Sequence, residues 1–394
     1  MTLRSRLLPL LCAAAALLTA GCDSGTAGTT GPAASAPAPV RLKAVTPVPR
    51  ALAKLRPDGS LAMPRGWNID GSGVTATGKH LVLMAVPPAR TRGGAAETWV
   101  VDSGTGRVRR FPQVGSGWTA NNPVLGGGWL LHVESRQLDG TACGQPASAT
   151  ADCFRWRLYA QPLSSGKPRL IARSAQPGHQ SLVPHPLADG RTFVWEQGTT
   201  AGKYGVFRWT GGAPRPERLL SRSTRGRLDV DGGALYLTEG TLTPDGGAST
   251  RTTYRLGLRS PVQPRRVARF TGSGGFAVHG GRIAYFPRAA DETGRIRVLT
   301  IGGRTRPVDV GAPVNGFYEV DWITGNRLVT WAISGYALAD VRHPATSAGF
   351  SPDAVGLGAP RGAGNRLYVV YDPYQFTQSR GAKPTVLAWR HFTP

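Results

Sequence analysis

The chain has 394 residues and a formal net charge of +24, because its 47 lysines and arginines outnumber its 23 aspartates and glutamates. Its 53 glycines and 32 prolines argue against long helices and favour an all-β, turn-rich protein. No catalytic motif stands out, so the prediction of function depends on spacing, charge and compartment.

The first 22 residues resemble the export signal of a bacterial lipoprotein. Arg4 and Arg6 precede an apolar stretch from Leu7 to Leu18, which is too short to span a bilayer. The next segment, Leu18-Thr19-Ala20-Gly21-Cys22, is similar to a lipobox, with threonine at the position where leucine is commonest. This resemblance implies cleavage after residue 21 and a diacylglyceryl anchor on Cys22. The alternative is an ordinary secreted protein with an accidental cysteine.

Residues 22–40 are predicted to form a disordered linker. They are almost wholly Gly, Ala, Ser, Thr and Pro, with too little apolar surface to offset the entropy of ordering. A flexible coil of this length would reach roughly 25 Å, and two acyl chains would hold the protein stably at a membrane. We therefore expect an exported protein, anchored by lipid to the outer face of the cytoplasmic membrane.

Seven copies of one pattern follow the linker: a glycine-bearing turn, then an apolar run that carries an aromatic or large aliphatic residue. The first apolar residues of the seven runs are Leu81, Leu130, Phe193, Leu235, Ile283, Leu328 and Leu367. Successive runs begin 49, 63, 42, 48, 45 and 39 residues apart, close to the roughly 40 to 50 residues of one propeller blade. The spacing predicts a single β-propeller of seven four-stranded blades over residues 41–394.

The turns and strands inside each repeat support this fold. Asp189-Gly190, Asp231-Gly232 and Gly280-Gly281 supply the positive φ that two-residue hairpin turns require. The second strands are nearly continuously apolar, which is the pattern of a strand covered on both faces by neighbouring blades.

The seventh repeat lacks a fourth strand, because the chain ends after the predicted third strand, Thr385 to Phe392. An open edge strand favours aggregation, and ring closure removes it. We expect the segment from Val40 to Leu55 to supply the missing outer strand and join the two ends of the chain. The alternatives are six or eight blades, or a pair of β-sandwich domains.

Only two cysteines, Cys143 and Cys153, remain in the predicted folded body. They lie in the longest interval between repeats, and an exported protein with one such pair is expected to form a disulfide. The alternative is a metal site, but two thiols with no nearby histidine make a poor zinc ligand set. A loop this short would gain about 2 to 3 kcal/mol from the bridge.

With its lipobox-like start and its repeat spacing, the chain resembles the lipid-anchored β-propeller proteins of Gram-positive, high-GC bacteria loosely called TolB-like. The resemblance covers roughly residues 60 to 394 and rests on no family signature. It implies a binding or scaffolding role at the cell surface, and it assigns no residues.

Arginines concentrate in the predicted last strand of each repeat, which is the outermost strand of a propeller blade. We name as a basic rim Arg265, Arg266, Arg269, Arg304 and Arg306. Charged edge strands discourage edge-to-edge pairing, which is a sufficient structural reason for them. They would equally attract anionic lipid headgroups or phosphate-rich wall polymers. GC-rich codons are a further explanation, and nucleic acid is not expected as a partner.

Acidic residues recur near the end of the predicted second strands, at Glu134, Glu196, Glu239 and Asp372. Aligned strands would gather these carboxylates on one face of the ring. One interpretation is that each acid pairs with a neighbouring arginine. The other is a binding site for a cation, an amine-bearing ligand or a basic partner surface.

These features together predict a monomeric, non-catalytic binding or scaffolding module of the cell envelope, with no cofactor and no bound metal. Its expected partners are an envelope protein, an anionic wall polymer or lipid headgroups. The alternatives are a wall-glycan hydrolase or lyase with its site over the propeller channel, and a structural spacer.

Overall fold

Residues Pro39–Pro394 form one compact unit. The computed structural model describes residues 40–41, 43–44, 58–64, 66–77, 80–88, 95–137, 154–164, 166–174, 183–199, 203–240, 249–259, 263–287, 295–303, 306–311, 317–332, 335–344, 348–350, 361–363, 365–371 and 386–393. Strands and turns make up the regular structure of these residues, and no helix among them could span a membrane.

The described strands form seven four-stranded antiparallel blades, as the repeat predicts. Three short strands precede the first blade: β1 (Val40–Arg41), β2 (Lys43–Ala44) and β3 (Gly59–Ala62). In each blade the first strand lines the central channel and the fourth lies at the circumference. Blades 1 to 3 comprise β4 (Asn68–Thr77), β5 (His80–Val86), β6 (Glu97–Asp102) and β7 (Arg107–Phe111); β8 (Thr119–Gly126), β9 (Trp129–Gln137), β10 (Phe154–Pro162) and β11 (Arg169–Arg173); and β12 (Leu187–Asp189), β13 (Thr192–Gly198), β14 (Tyr204–Thr210) and β15 (Glu217–Arg222).

Blades 4 and 5 share one long strand, so their ladders form a continuous seven-stranded sheet. The strand β19 (Arg265–His279) is the fourth strand of blade 4 in its first half and the first strand of blade 5 in its second. The remaining strands of these two blades are β16 (Arg227–Asp231), β17 (Ala234–Gly240), β18 (Ser249–Gly257), β20 (Arg282–Phe286), β21 (Arg295–Thr300) and β22 (Val308–Gly311). Blade 6 comprises β23 (Phe317–Thr324), β24 (Arg327–Ala332), β25 (Gly335–Asp340) and β26 (Ala348–Phe350).

Blade 7 is completed by the N-terminal part of the chain. Its first three strands are β27 (Arg361–Ala363), β28 (Arg366–Tyr371) and β29 (Val386–His391), and β3 pairs with β29 as the fourth. Each innermost strand contacts the innermost strand of the next blade, and β27 contacts β4. The ring is therefore closed by a strand from the N-terminal part of the chain that pairs with the last described strand.

The position of the closing strand corrects the prediction from Val40 to Leu55. The fourth strand of blade 7 begins at Gly59, whereas Lys43–Ala44 pairs outside it and Val40–Arg41 pairs with β7 of blade 1. The physical reason is burial, because Leu61 and the following Met63 are 5% and 3% exposed and pack with Trp99. The predicted segment instead adds short outer strands to blades 1 and 7.

The hairpin turns have the predicted backbone. Gly190, Gly232 and Gly280 have φ values of 58°, 58° and 56°, in the left-handed region that favours glycine. The second strands are also buried as predicted: the central residues of β5, Leu81 to Ala85, have no exposed surface. The core lies between blades, where the side chains of the second and third strands interlock. Between blades 2 and 3, for example, Trp156, Trp195 and Trp209 are almost completely buried.

Candidate functional site

Three of the four predicted binding acids lie near the ends of second strands, on one face of the ring. Each blade is a four-stranded meander that ends on the face of the ring where it began. The second strands of all the blades therefore run in the same direction. We call the face at the ends of the second strands the upper face. Glu134, Glu196 and Glu239 lie near the ends of β9, β13 and β17, whereas Asp372 lies outside the described residues.

Glu134 lies in the junction between blades 1 and 2, with no exposed surface. Its Oε1 accepts a hydrogen bond from the backbone N–H of Val114, in the segment that joins the two blades. Nε2 of His132, two residues earlier on the same face of β9, lies 3.8 Å from that oxygen. The other carboxylate oxygen and both ring nitrogens of His132 have no hydrogen-bond partner among the described residues.

Glu196 and Glu239 meet in the junction between blades 3 and 4. Glu196 lies three residues after Phe193, the first apolar residue of its repeat, whereas Glu239 lies four residues after Leu235, the first of the next repeat. Because side chains alternate along a strand, the two acids point towards each other. Oε1 of Glu196 accepts a hydrogen bond from the backbone N–H of Gly226 at 3.1 Å, and its Oε2 lies 4.0 Å from Nε of Arg225. Glu239 forms an ion pair with Arg222.

This network leaves Glu239 the more accessible of the two acids, with 36% of its side chain exposed against 9% for Glu196. Burial raises the pKa of Glu196, whereas the hydrogen bond from Gly226 and the charges of Arg222 and Arg225 lower it. The binding role proposed for the acids stays a prediction.

A second group of acids, at the channel, links consecutive innermost strands. Asp229 of β16 accepts a hydrogen bond through Oδ2 from the backbone N–H of Val278 in blade 5, at 2.6 Å. Asp321 of β23 accepts the equivalent bond from Gly362 in blade 7, at 3.1 Å. Each also accepts the N–H of its following residue, at 2.8 and 2.9 Å. Innermost strands have one edge without a partner strand, and these carboxylates satisfy N–H groups on that edge.

Two further aspartates also bind backbone N–H groups of the next blade, here at its hairpin turn. Asp189 accepts the backbone N–H of Gly233 in the turn of blade 4. Asp231 accepts the N–H of Gly280 in the turn of blade 5, at 2.9 Å, and its other oxygen lies 3.1 Å from Nδ1 of His279. Asp229 and Asp231 therefore link blade 4 to the innermost strand and the hairpin turn of blade 5.

Asp229 has the most perturbed ionisation among these acids. Burial, together with the smaller effect of the charges of Asp321 and Asp231, raises its pKa from 3.8 to about 7. The hydrogen bonds from Val278 and Val230 oppose this shift. A half-buried side chain on an innermost strand, near two other carboxylates, is expected to hold its proton for part of the time near neutral pH.

The basic rim is exposed where the structure describes it. Arg265, Arg266 and Arg269 lie in the first half of β19, which is the outermost strand of blade 4, and Arg306 is exposed just before β22. Arg304 lies outside the described residues.

Not every arginine of an outer strand points outward. Arg110 of β7 forms a bidentate ion pair with the fully buried Glu97, with Nη2 2.8 Å from Oε2. Its guanidinium also lies 4.8 Å and 5.6 Å from the ring centroids of Trp67 and Trp99. This arginine belongs to the core between blades 1 and 7.

The two cysteines of the predicted disulfide and the lipobox cysteine all lie outside the described residues. Within the described ranges, no group of three His, Cys, Asp or Glu side chains is arranged to hold a metal ion.

The sequence prediction missed the channel aspartates. Asp229 lies three residues before its turn glycine and Asp321 four before Gly325, because β23 carries a register shift that β16 lacks. If the repeats are aligned on their turn glycines without this shift, Asp229 and Asp321 fall at different positions of the repeat. Alternating arginines such as Arg155 and Arg157 were a second visible signal that the prediction did not use.

No protein-family model matches the chain, and no curated protein matches it. Solved structures are similar to it at low identity. A prolyl endopeptidase is 12% identical with a TM-score of 0.55 over 84% of this chain, which matches only 51% of that enzyme. The β-propeller domain of the Trilobed protease from Pyrococcus furiosus is 8% identical, with a TM-score of 0.53 over 83% of this chain and 98% of that one. The polysaccharide lyase Uly1 is 10% identical, with a TM-score of 0.51 over 82% and 90% of the two chains.

These similarities show the fold alone. The Pyrococcus domain is described as having an open velcro topology, whereas β3 of the present chain pairs with β29 and joins the chain ends. The chain is thus a closed, seven-bladed β-propeller.

Proposed function

We propose that the chain is an exported lipoprotein, anchored through Cys22, whose propeller acts as a non-catalytic binding or scaffolding module in the cell envelope. The lipobox-like segment before Cys22 and the linker over residues 22–40 support the anchoring. The propeller would act as a monomer on the outer face of the cytoplasmic membrane, without a cofactor. Its partners would be anionic wall polymers, lipid headgroups or an envelope protein.

The observation that supports this proposal is that many acidic side chains are bonded to other groups of the protein, so their charges are not available on its surface. Many carboxylates accept hydrogen bonds from the protein itself or form ion pairs with it. They include the side chains of Glu97, Glu134, Glu196, Glu239, Asp189, Asp229, Asp231 and Asp321. Rim arginines such as Arg265 and Arg269 are meanwhile exposed. The surplus of positive charge therefore lies on the exterior, where it attracts polyanions by a salt-dependent field.

A catalytic alternative, a hydrolase or lyase acting on wall glycans, would use Asp229 as its best candidate. A carboxylate with a pKa near 7 in a concave site is typical of general acids. Both oxygens of Asp229, however, accept backbone N–H groups, from Val230 and Val278. Because both oxygens are already hydrogen-bonded, Asp229 is better explained as a structural link between blades than as a catalytic acid.

The test is binding of the purified propeller, without its lipid, to vesicles that contain anionic lipids. We expect binding at about 50 mM salt and its steep loss as ionic strength rises. Replacing Arg265, Arg266 and Arg269 by glutamine should weaken the binding and leave the melting temperature nearly unchanged, because exposed charges contribute little to folding. Absence of binding at low salt would exclude lipid headgroups as partners, and absence of binding to anionic wall polymers as well would favour a structural spacer.

A further inference from the structure

One face of blade 2 carries four arginines in two neighbouring rows. In the ladders of this blade, Arg136 of β9 lies opposite Arg155 of β10, and Arg157 of β10 lies opposite Arg173 of β11. Residues directly opposite each other share a face, and so do residues two apart on one strand. All four side chains therefore project from the face of blade 2 that is turned towards blade 1.

Protection of the sheet edge does not account for this cluster. Edge charges are expected on the outermost strand, and of the four arginines that strand contains only Arg173. Arg155 and Arg157 lie in the third strand and Arg136 in the second. Like charges directly opposite each other destabilise a sheet, so one such row in two interior strands, with a second row beside it, points to a compensating ligand.

One aromatic ring holds two of the guanidinium groups in place. The guanidinium carbon of Arg157 lies 4.1 Å from the ring centroid of the buried Trp118, and that of Arg136 lies 5.4 Å from it. A guanidinium stacked on a ring keeps its N–H edge available for an oxyanion. The acid in these rows is Glu134, opposite Arg157, and its Oε1 already accepts the N–H of Val114.

The surroundings match a polymer that has apolar spacers between its charges. Arg136, Arg155 and Arg173 are exposed, and arginines two apart on a strand are about 6.5 Å from each other. The arginines add their aliphatic stems, and Val114, whose backbone N–H donates to Glu134 on this face, is 47% exposed. Short carbon spacers between successive anionic groups would contact such side chains.

We propose that this face of blade 2 binds a linear phosphodiester polymer, with the four arginines as ligands for successive phosphates. The proposal rests on the proposed function, which supplies the anionic partner, and it adds the site and the chemistry. Bidentate N–H donation to phosphate oxygens is the interaction that arginine makes best.

The test compares two variants that each remove one exposed charge from two different strands. Arg155→Gln with Arg173→Gln removes half of the cluster without removing either guanidinium that stacks on Trp118. The matched control is Arg218→Gln with Arg255→Gln, two exposed arginines on different strands of blades 3 and 4, outside both the cluster and the basic rim. Binding of synthetic poly(glycerol phosphate) is measured at about 150 mM salt, where the Debye length is about 8 Å and direct contacts dominate.

We expect the blade 2 variant to lose about tenfold or more in affinity and to show a salt slope lower by about 2. The control variant should lose no more than about twofold, because it changes only the screened field. Equal losses would overturn the site and leave the proposed function standing. If the unaltered propeller binds neither this polymer nor anionic vesicles, the proposed function fails. Vesicle binding without polymer binding overturns the phosphodiester assignment alone.

Discussion

At the scale of single residues, the sequence shows which side chains are charged but not which of them are engaged inside the fold. Glu134 and Glu239 both lie four residues after the first apolar residue of their repeat, yet Glu134 is completely buried and Glu239 is about a third exposed. The difference depends on the neighbouring blade, which presents the N–H of Val114 to one and Arg222 to the other. Repeat position alone could not predict this.

Asp229 gives the chain a specific dependence of stability on pH. Its pKa is about 7 in the folded chain and about 4 in an unfolded one. Between these values the folded state keeps a proton that the unfolded state releases, so stability falls as pH rises from about 4 to 7. One pKa unit corresponds to about 1.4 kcal/mol, and partial contact with channel solvent reduces the effect.

We therefore expect the free energy of unfolding of the unaltered chain to fall by about 1 to 3 kcal/mol more than that of Asp229→Asn between pH 4.5 and 8. The hydrogen bond lost in the variant is independent of pH, and the other carboxylates titrate alike in both proteins. Urea denaturation at a series of pH values measures the difference. Parallel curves for the two proteins would show that Asp229 is ionised throughout.

At the scale of elements, local signals predict the blades and nonlocal pairing decides the closure. Turn glycines and apolar second strands depend on neighbours in sequence, so the seven hairpins could be predicted. The strand that completes blade 7 pairs Gly59 with Trp389, 330 positions later. No local signal distinguishes that strand from the preceding Val40 to Leu55, and only the burial of Leu61 identifies it.

Gly362 lies where the innermost strands of blades 6 and 7 approach each other closely. A Cβ at this position would overlap the carbonyl oxygen of Trp322 and lie 2.8 Å from Cα of Ile323. Because both atoms belong to the backbone of blade 6, Gly362→Ala should destabilise the protein by about 1 to 3 kcal/mol or more. Thermal unfolding measures the change.

The matched control is Gly325→Ala, in the turn of blade 6. Among the described residues, the close atom there is the flexible Nη2 of Arg282, at 3.6 Å, so this change should alter stability by less than about 1 kcal/mol. Equal melting temperatures for the two variants would mean that the innermost strands are farther apart than described here.

The predicted bridge between Cys143 and Cys153 belongs to the longest interval between repeats. A disulfide there would constrain the insertion between the second and third strands of blade 2 and stabilise it by about 2 to 3 kcal/mol. Mass spectrometry of the alkylated, non-reduced protein from the bacterial surface should find the two residues linked. Two alkylated thiols would refute the bridge.

At the scale of the whole molecule, the ring form could be predicted because seven repeats of similar length imply seven similar blades. The distribution of charge could be predicted only in part. The outer position of Arg265, Arg266 and Arg269 follows from their place in the last strand of a repeat, whereas Arg110, in an equivalent strand, lies in the core against Glu97.

Anchoring through Cys22 is tested by a single substitution. Cys22→Ala should abolish labelling of the protein by a fatty-acid probe, because the thiol is the acceptor of the lipid. The protein should then be released into the medium or remain as an uncut precursor. Unchanged labelling would rule out the lipoprotein assignment.

The most direct test of the proposed function is co-sedimentation of the lipid-free propeller with cell walls of the bacterium that produces it. Walls are prepared with and without their phosphate-containing polymers, and salt is raised from about 50 to 500 mM, over which the Debye length falls more than twofold. We predict sedimentation with intact walls at low salt, release at high salt, and no sedimentation with stripped walls. Equal sedimentation with both preparations, or none with either, would contradict a propeller that binds envelope polyanions.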